Sequence, residues 1–307
     1  MSAPHSNDMR IGIDVGGTKI EAIALDANGT PLLRRRVPTP QGNYDGTVRA
    51  VATLVAAIEA EAGMRGTVGI GTPGAPSAQT GLMKNCNSTW LNGRPLAHDL
   101  AQALERPVRL ANDANCFALS EAVDGAARGA GAVFGVILGT GVGGGIVVHG
   151  RTLAGANAIA GEWGHNPLPW PHDDERPGPP CYCGRAGCIE TWLSGPGLAA
   201  DHERATGVRE DAGQIAARAA AGDGHCRATL ERYAERLARA LAHVVNILDP
   251  DVIVLGGGVS NIASLYTSVP ALWSRYVFSD TIATRLVRNA HGDASGVRGA
   301  AWLWDER

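Results

Sequence analysis

The chain has 307 residues, 45% hydrophobic and 19% charged, with a formal net charge of -3. That length supports two compact lobes with separate cores, and the slight acidity excludes a basic stripe for tracking nucleic acid. No window reaches the roughly 18 to 20 unbroken apolar residues of a membrane span. Met1 to Asp8 lacks the apolar stretch of a signal peptide, so a disordered extension over residues 1–8 and a cytoplasmic setting are expected.

Arg10 to Val15 is an apolar-rich run ending in Gly16-Gly17, and a second run, Ile20 to Leu25, follows at once. After the turn Asp26-Ala27-Asn28-Gly29 comes a third, Leu32 to Val37, which predicts an antiparallel meander. Tyr44 to Ala62 carries Val48, Val51, Val55 and Ile58 at helical spacing, with Gly63 as its stop. Strands are expected at Val68 to Ile70 and Val108 to Leu110, then a helix from about Asp113 to Val123. At Ala132 the pattern restarts: Val133 to Leu138, a break at Gly139-Thr140-Gly141, and a strand from Gly145 to Val148. This second strand–glycine–strand unit suggests two lobes of related topology.

Trp170 to Pro180, rich in proline and charge, reads as a mobile loop. Leu230, Tyr233, Leu237, Leu241, Val244 and Leu248 mark a long amphipathic helix, stopped by Asp249-Pro250. A buried-type strand, Val252 to Leu255, then runs into Gly256-Gly257-Gly258. Strand and helix alternate, which makes the class α/β.

Three glycine turns thus follow apolar strands. Each could be no more than a tight turn with positive φ. Glycine also lets backbone approach a ligand, and successive N–H groups form an anion-binding nest, which suits the phosphates of a nucleotide. There is no G-x-x-x-x-G-K-[ST] P-loop, and the turn at Gly16-Gly17 leads into a strand rather than the helix of a dinucleotide fingerprint. In Asp14-Val15-Gly16-Gly17-Thr18-Lys19, Asp14 offers a Mg²⁺ ligand through water, and Thr18 and Lys19 offer donors to phosphate oxygens. A solvated surface charge is the alternative reading of Lys19.

His165, Cys181, Cys183 and Cys188 spell H…C-x-C-x4-C, which in a cytosolic chain favours metal over disulfides, with reduced, buried thiols as the alternative reading. Four N and S donors complete a tetrahedral Zn²⁺ and leave no open position, so the site is read as structural. Glu162 and Glu190 flank the motif, and a fixed loop would aim both carboxylates at one polar ligand. Asn112-Asp113 begins a helix directly after a strand. It reads either as an N-cap or as a carboxylate held against a substrate hydroxyl.

Together Asp14 to Lys19, Asn112-Asp113, Glu162-Trp163-Gly164-His165 and Cys181 to Glu190 resemble the ROK family (repressors, open reading frames and sugar kinases). Asn87 to Gly93, Ala111 to Cys116, Gly161 to Trp170 and Ala242 to Ser260 are most similar to bacterial fructokinases of the mannofructokinase type. The resemblance implies a two-lobed actin-like ATPase (ribonuclease H-like) fold with ATP in the interlobe cleft, and usually a homodimer. It implies a small N-terminal lobe over 9–118, joined by a C-terminal helix within 293–307 (Gly296 to Trp304). A large lobe over 119–292 would carry the zinc loop 161–190.

The same resemblance implies Asp113 as general base and Asn112, Glu162, His165 and Glu190 as contacts to sugar hydroxyls. His165 would use the nitrogen not bound to zinc. Asp14, Gly16, Gly17, Thr18, Lys19, Gly139, Thr140 and Gly141 would handle Mg²⁺ and phosphates, with Gly256 and Gly257 bordering the nucleoside. The implied activity is ATP-dependent phosphorylation of a hexose, fructose to fructose 6-phosphate, with mannose as a second substrate. Glucose and N-acetylglucosamine are the alternatives within the family. A sugar-responsive regulator is the rival of another class. Family regulators carry an N-terminal helix-turn-helix domain, which the short segment before Met9 does not supply, so no nucleic-acid or membrane partner is expected.

Overall fold

The computed structural model describes residues 9–305, and the extension expected over residues 1–8 lies outside them. The meander forms as expected: β1 (Arg10–Val15) pairs antiparallel with β2 (Lys19–Leu25), and β2 with β3 (Pro31–Pro38). β2 is buried along almost its whole length, whereas β3 is an edge strand exposing Arg34, Arg35 and Arg36. Charge on an edge strand discourages further strand pairing. Helix α1 (Tyr44–Ala62) starts where Asn43 accepts the Gly46 N–H at 2.8 Å and ends at Gly63, whose φ of 69° makes the left-handed stop. It buries Val51, Leu54, Val55 and Ile58, each worth about 1.5–3 kcal/mol when removed from water.

β4 (Thr67–Thr72) runs parallel to β1. A short hairpin, β5 (Ala75–Pro76) with β6 (Met83–Lys84), and helix α2 (Leu96–Leu104) lead to β7 (Val108–Asn112), parallel to β4. The sheet order is therefore β3-β2-β1-β4-β7, and α3 (Asp113–Val123) leaves β7 without a loop.

The second sheet repeats this plan. β8 (Ala132–Leu138), β9 (Val142–Val148) and β10 (Arg151–Thr152) come first. Helices α4 (Ile189–Leu193), α5 (Gly195–Thr206), α6 (Ala212–Ala220) and α7 (Gly224–Leu248) follow. β11 (Val252–Gly256) then joins parallel to β8 and, after α8 (Leu265–Leu272), β12 (Arg285–Arg288) joins parallel to β11. The order β10-β9-β8-β11-β12 matches the first sheet: three strands consecutive in the chain, then two added in parallel. This is the two-lobed actin-like ATPase topology. β9 starts at Val142 rather than Gly145, because Gly143 and Gly144 already run as strand.

The described residues divide into two compact units, one running to residue 129 with 145–160 and the segment from 294 onward, the other of residues 130–144 and 161–293. The boundary expected at residue 118 falls inside α3. That helix stays whole in the first unit because it packs along the last helix, α9 (Ser295–Trp302). Gly299 permits this approach, since a Cβ there would overlap the Cys116 carbonyl; Gly12 does the same between β1 and α9, where a Cβ would overlap the Val297 carbonyl.

Trp170 to Pro180 is anchored rather than mobile. Glu175 in this segment is only 5% exposed. Its carboxylate accepts from Arg236 Nε at 2.7 Å and from both terminal nitrogens of Arg239 at 2.8 Å. Arg239 also donates to the Trp170 carbonyl at 2.6 Å. The face of α7 turned to this segment is thus ionic. Among the described residues no helix is long and apolar enough to cross a membrane.

Candidate active site and metal cluster

In the first unit Asp14 lies near the end of β1, and the loop Gly16 to Lys19 turns through a 3.0 Å hydrogen bond from the Gly16 N–H to the Lys19 carbonyl. Neither Gly16 nor Gly17 has a positive φ, which removes the reading of a left-handed glycine turn. Two residues that the sequence reading passes over brace this loop. Thr39 Oγ1 donates to the Gly16 carbonyl at 2.7 Å, and Gln41 Nε2 to the Gly17 carbonyl at 2.9 Å. Thr18 is exposed, and Lys19 Nζ lies 3.5 Å from the buried Glu21 carboxylate. Burial first, then the charges of Asp113 and Glu21, push the Asp14 carboxyl up to about 7, against the pull of Lys19. A cation beside Asp14 would relieve that repulsion, so the donor set fits a Mg²⁺ ligand.

Asn112 ends β7 and caps α3, its Oδ1 accepting the Asn115 N–H at 2.8 Å. Asp113 is the first residue of the helix and is exposed; its Oδ1 accepts the Ala114 N–H at 2.7 Å. Capping and chemistry are therefore not rivals here. Asn112 makes the cap, and Asp113 presents a carboxylate at the positive end of the helix.

In the second unit Gly139 to Gly141 link β8 to β9, with the Gly139 N–H donating to the Gly141 carbonyl at 3.0 Å. Beyond β11, Gly257 has a φ of 82°, and a Cβ there would overlap the Leu138 backbone. Only glycine fits so close to the end of β8. A cavity of about 810 Å³, of nucleoside size, opens nearby, lined among others by Gly139, Thr140, Pro196, Glu210, Gln214 and Gly258. Gly256 and Gly257 do not line it; their neighbour Gly258 does.

The segment carrying Glu162 and His165 is pinned by Trp163. Its ring meets Phe134 edge-on with centroids 5.5 Å apart, and its Nε1 donates to the Gly143 carbonyl at 3.1 Å. The Glu190 N–H donates to the Gly164 carbonyl at 2.8 Å and the Ile189 N–H to the Asn166 carbonyl at 2.9 Å, joining both flanks of the cysteine motif. Glu190 Oε2 accepts the Val142 N–H at 2.9 Å, whereas Glu162 is exposed.

His165, Cys181, Cys183 and Cys188 come together with all four donor atoms within 4.8 Å of one another. Cys181 Sγ is 3.5 Å from His165 Nδ1, and Cys183 Sγ is 3.6 Å from Cys188 Sγ. Edges of that length fit a tetrahedron around Zn²⁺, with metal–ligand bonds of roughly 2.0 to 2.3 Å. His165 Nε2 faces Tyr182 Oη at 2.9 Å, so the nitrogen expected to meet sugar already has a partner. Tyr182 is 84% exposed, and a sugar hydroxyl would have to share or displace that bond. The motif contains Tyr182, but nothing in its spacing announces this contact.

A model of the ROK family matches residues 10–307. N-acetyl-D-glucosamine kinases of Salmonella paratyphi C and Escherichia coli are each 42% identical over 299 residues, spanning 96% of this chain and 99% of theirs. Among solved structures, the ROK hexokinase of Thermus thermophilus is similar with a TM-score of 0.84 at 34% identity, covering 96% of this chain and 97% of that one. A ROK family glucokinase of Streptomyces griseus, in complex with glucose and AMPPNP, has a TM-score of 0.78 at 28% identity, covering 96% and 98%. None of these four is a fructokinase, so the expectation of fructose gains no support from them. With the family model spanning nearly its whole length, this chain belongs to the ROK family.

Proposed function

We propose that the chain is an ATP-dependent sugar kinase that phosphorylates the primary hydroxyl of N-acetyl-D-glucosamine. The observation that carries this reading is the 42% identity, over nearly the whole of both chains, to kinases of that sugar. It outweighs fructose, which rests on motif likeness alone.

In this reading Asp113 accepts the proton of the sugar's primary hydroxyl as that oxygen bonds to the γ-phosphorus. The bond from the γ-phosphorus to the bridging oxygen breaks, and ADP leaves. Asn112, Glu162, His165 and Glu190 hold the remaining sugar hydroxyls. The amides of Gly16 to Lys19 and Gly139 to Gly141 receive the phosphates, and the cavity beside Gly258 receives the nucleoside. A Mg²⁺ ion bound with ATP supplies charge neutralisation on the phosphates, with Asp14 as the residue to hold it. Zinc at His165, Cys181, Cys183 and Cys188 offers no open position and would serve to fix the segments carrying Glu162 and Glu190.

A coupled assay of ADP release over N-acetylglucosamine, glucose, mannose and fructose tests the substrate. N-acetylglucosamine is expected to give the highest kcat/KM. A higher value for fructose would restore the motif-based reading, and no turnover with any of the four would remove the proposal.

A further inference from the structure

A second cluster of metal-ligating side chains lies away from the cysteine motif. His202 on α5, Glu210 in the loop before α6 and Cys226 in the first turn of α7 place their donor atoms within 4.8 Å of one another. His202 Nε2 is 3.4 Å from Glu210 Oε2, and Cys226 Sγ is 3.8 Å from the same oxygen. These edges are close to the 3.5 and 3.6 Å found in the first cluster. His202 and Cys226 are buried.

The surroundings fix the direction of each donor. His202 Nδ1 lies 2.9 Å from Thr229 Oγ1. The Thr229 hydroxyl donates its single proton to the His225 carbonyl at 3.1 Å and receives Arg232 Nη2 at 3.2 Å. Its donor is thus engaged, so it accepts from His202 Nδ1, and Nε2 is the ring nitrogen turned toward Glu210. Nε2 and Glu210 Oε2, 3.4 Å apart, stand where one cation could bind both. An oriented imidazole with its far nitrogen bonded is also the usual outer shell of a metal-bound histidine. Arg218 binds the other oxygen of Glu210 and Asp223 as well, leaving Oε2 to the cluster.

We propose that His202, Glu210 and Cys226 form a second metal site, for a divalent cation of the zinc class. Imidazole, carboxylate and thiolate together select a borderline-soft cation over Mg²⁺ or Ca²⁺. On binding, the Cys226 thiol loses its proton to solvent, and the three protein ligands leave a fourth position for water. Glu210 also lines the cavity of about 810 Å³, together with Arg209 and Asp211. A cation here would lock that wall to α5 and α7 and so stiffen one side of the proposed nucleoside pocket.

The test is zinc titration of the full-length protein against a chromophoric chelator, followed by the spectrum of its cobalt-substituted form. Wild type is expected to saturate at about two zinc ions per chain, and Cys226→Ser and Glu210→Gln each at about one. Cobalt at the second site should add thiolate-to-metal absorption that Cys226→Ser loses. Glu210 is partly exposed on a loop, so its variant keeps the test valid if the Cys226 variant folds poorly. Saturation of wild type at one zinc, or of both variants at two, overturns the proposal. The first result would leave His202, Glu210 and Cys226 as a polar contact without metal. Neither result bears on substrate choice, which the sugar panel reads separately.

Discussion

Glu190 Oε2 accepts the backbone N–H of Val142 at 2.9 Å, and a Cβ placed on Gly141 would stand only 2.6 Å from that same oxygen. One carboxylate oxygen therefore ties the first turn of α4, beside the cysteine cluster, to the glycine turn between β8 and β9. Gly141→Ala is expected to push Glu190 aside, raising the KM for sugar and for ATP together and lowering kcat by about tenfold, about 1.4 kcal/mol on the barrier from the bound complex. Steady-state kinetics in both substrates check this. Unchanged values for both would show that the bond is ornamental.

Asp113, the proposed base, stands at the first position of α3 and is exposed. Asp113→Asn keeps the shape and the hydrogen bond to Ala114 but removes the base. Turnover is expected to fall by roughly 10²- to 10⁴-fold while sugar affinity, read by calorimetry, persists. Near-normal kcat in this variant would transfer the role elsewhere.

Arg236, Arg239 and Glu175 form a buried ionic knot beneath the segment from Trp170. Arg239→Met leaves Glu175 buried with half its partners gone and is expected to cost about 3–5 kcal/mol in denaturant unfolding. Burial alone would raise the Glu175 carboxyl, but hydrogen bonds from Arg239 and Arg236 outweigh it and hold the group down to about 2. Because the folded value is depressed, this stabilisation is complete above the ordinary value of 4.5 and is lost as pH falls from there toward 2. Melting curves of wild type and Glu175→Gln should therefore converge as the solution is acidified through that window. Parallel curves would mean that Glu175 does not carry the acid sensitivity.

Stripping metal from the proposed zinc site at His165, Cys181, Cys183 and Cys188 should unfasten the flanks that hold Glu162 and Glu190. Cys183→Ser is expected to lower the melting temperature and to raise the sugar KM more than the ATP KM. Metal analysis and kinetics on one preparation check the link. Loss of the metal with an unaltered sugar KM would break it.

Asp14 is raised to about 7 by burial and by Asp113 and Glu21. Only the carboxylate binds Mg²⁺, so apparent Mg²⁺ affinity should fall as pH drops below 7 and level off above it. Magnesium titrations between pH 5.5 and 8.5 read this, and Asp14→Asn should flatten the profile.

The sequence made the local elements plain where one physical rule governs them. The meander β1 to β3, helix α1 from Tyr44 to Gly63 and helix α3 from Asp113 to Val123 follow from hydrophobic period and caps. The meeting of His165, Cys181, Cys183 and Cys188 followed from spacing. What stayed hidden depends on contacts between distant segments. Arg236 and Arg239 look like ordinary polar positions of an amphipathic helix, and only Glu175, far away in a proline-rich segment, turns them inward. Thr39 and Gln41 carry no motif, and their role exists only because β3 returns the chain to the Gly16 loop. Cys226 reads as a scattered cysteine until α5 and α7 bring His202 beside it. Sugar choice was not legible for a related reason: motifs common to a family carry its shared chemistry, whereas discrimination between hexoses lies in pocket shape.

Helix α9 fills the space against β1, β4 and α3, where Gly12 and Gly299 leave no room for a side chain. The first unit is thus completed by residues that leave the ribosome after the whole of the second. During synthesis the early sheet must wait, with the apolar surface later covered by Val297, Ala300 and Ala301 still open to water. The second unit, whose described elements are consecutive apart from one short excursion, can fold meanwhile. On the ribosome the amino-terminal segment therefore emerges long before the helix that covers it, and apolar surface left open in this way is prone to aggregate.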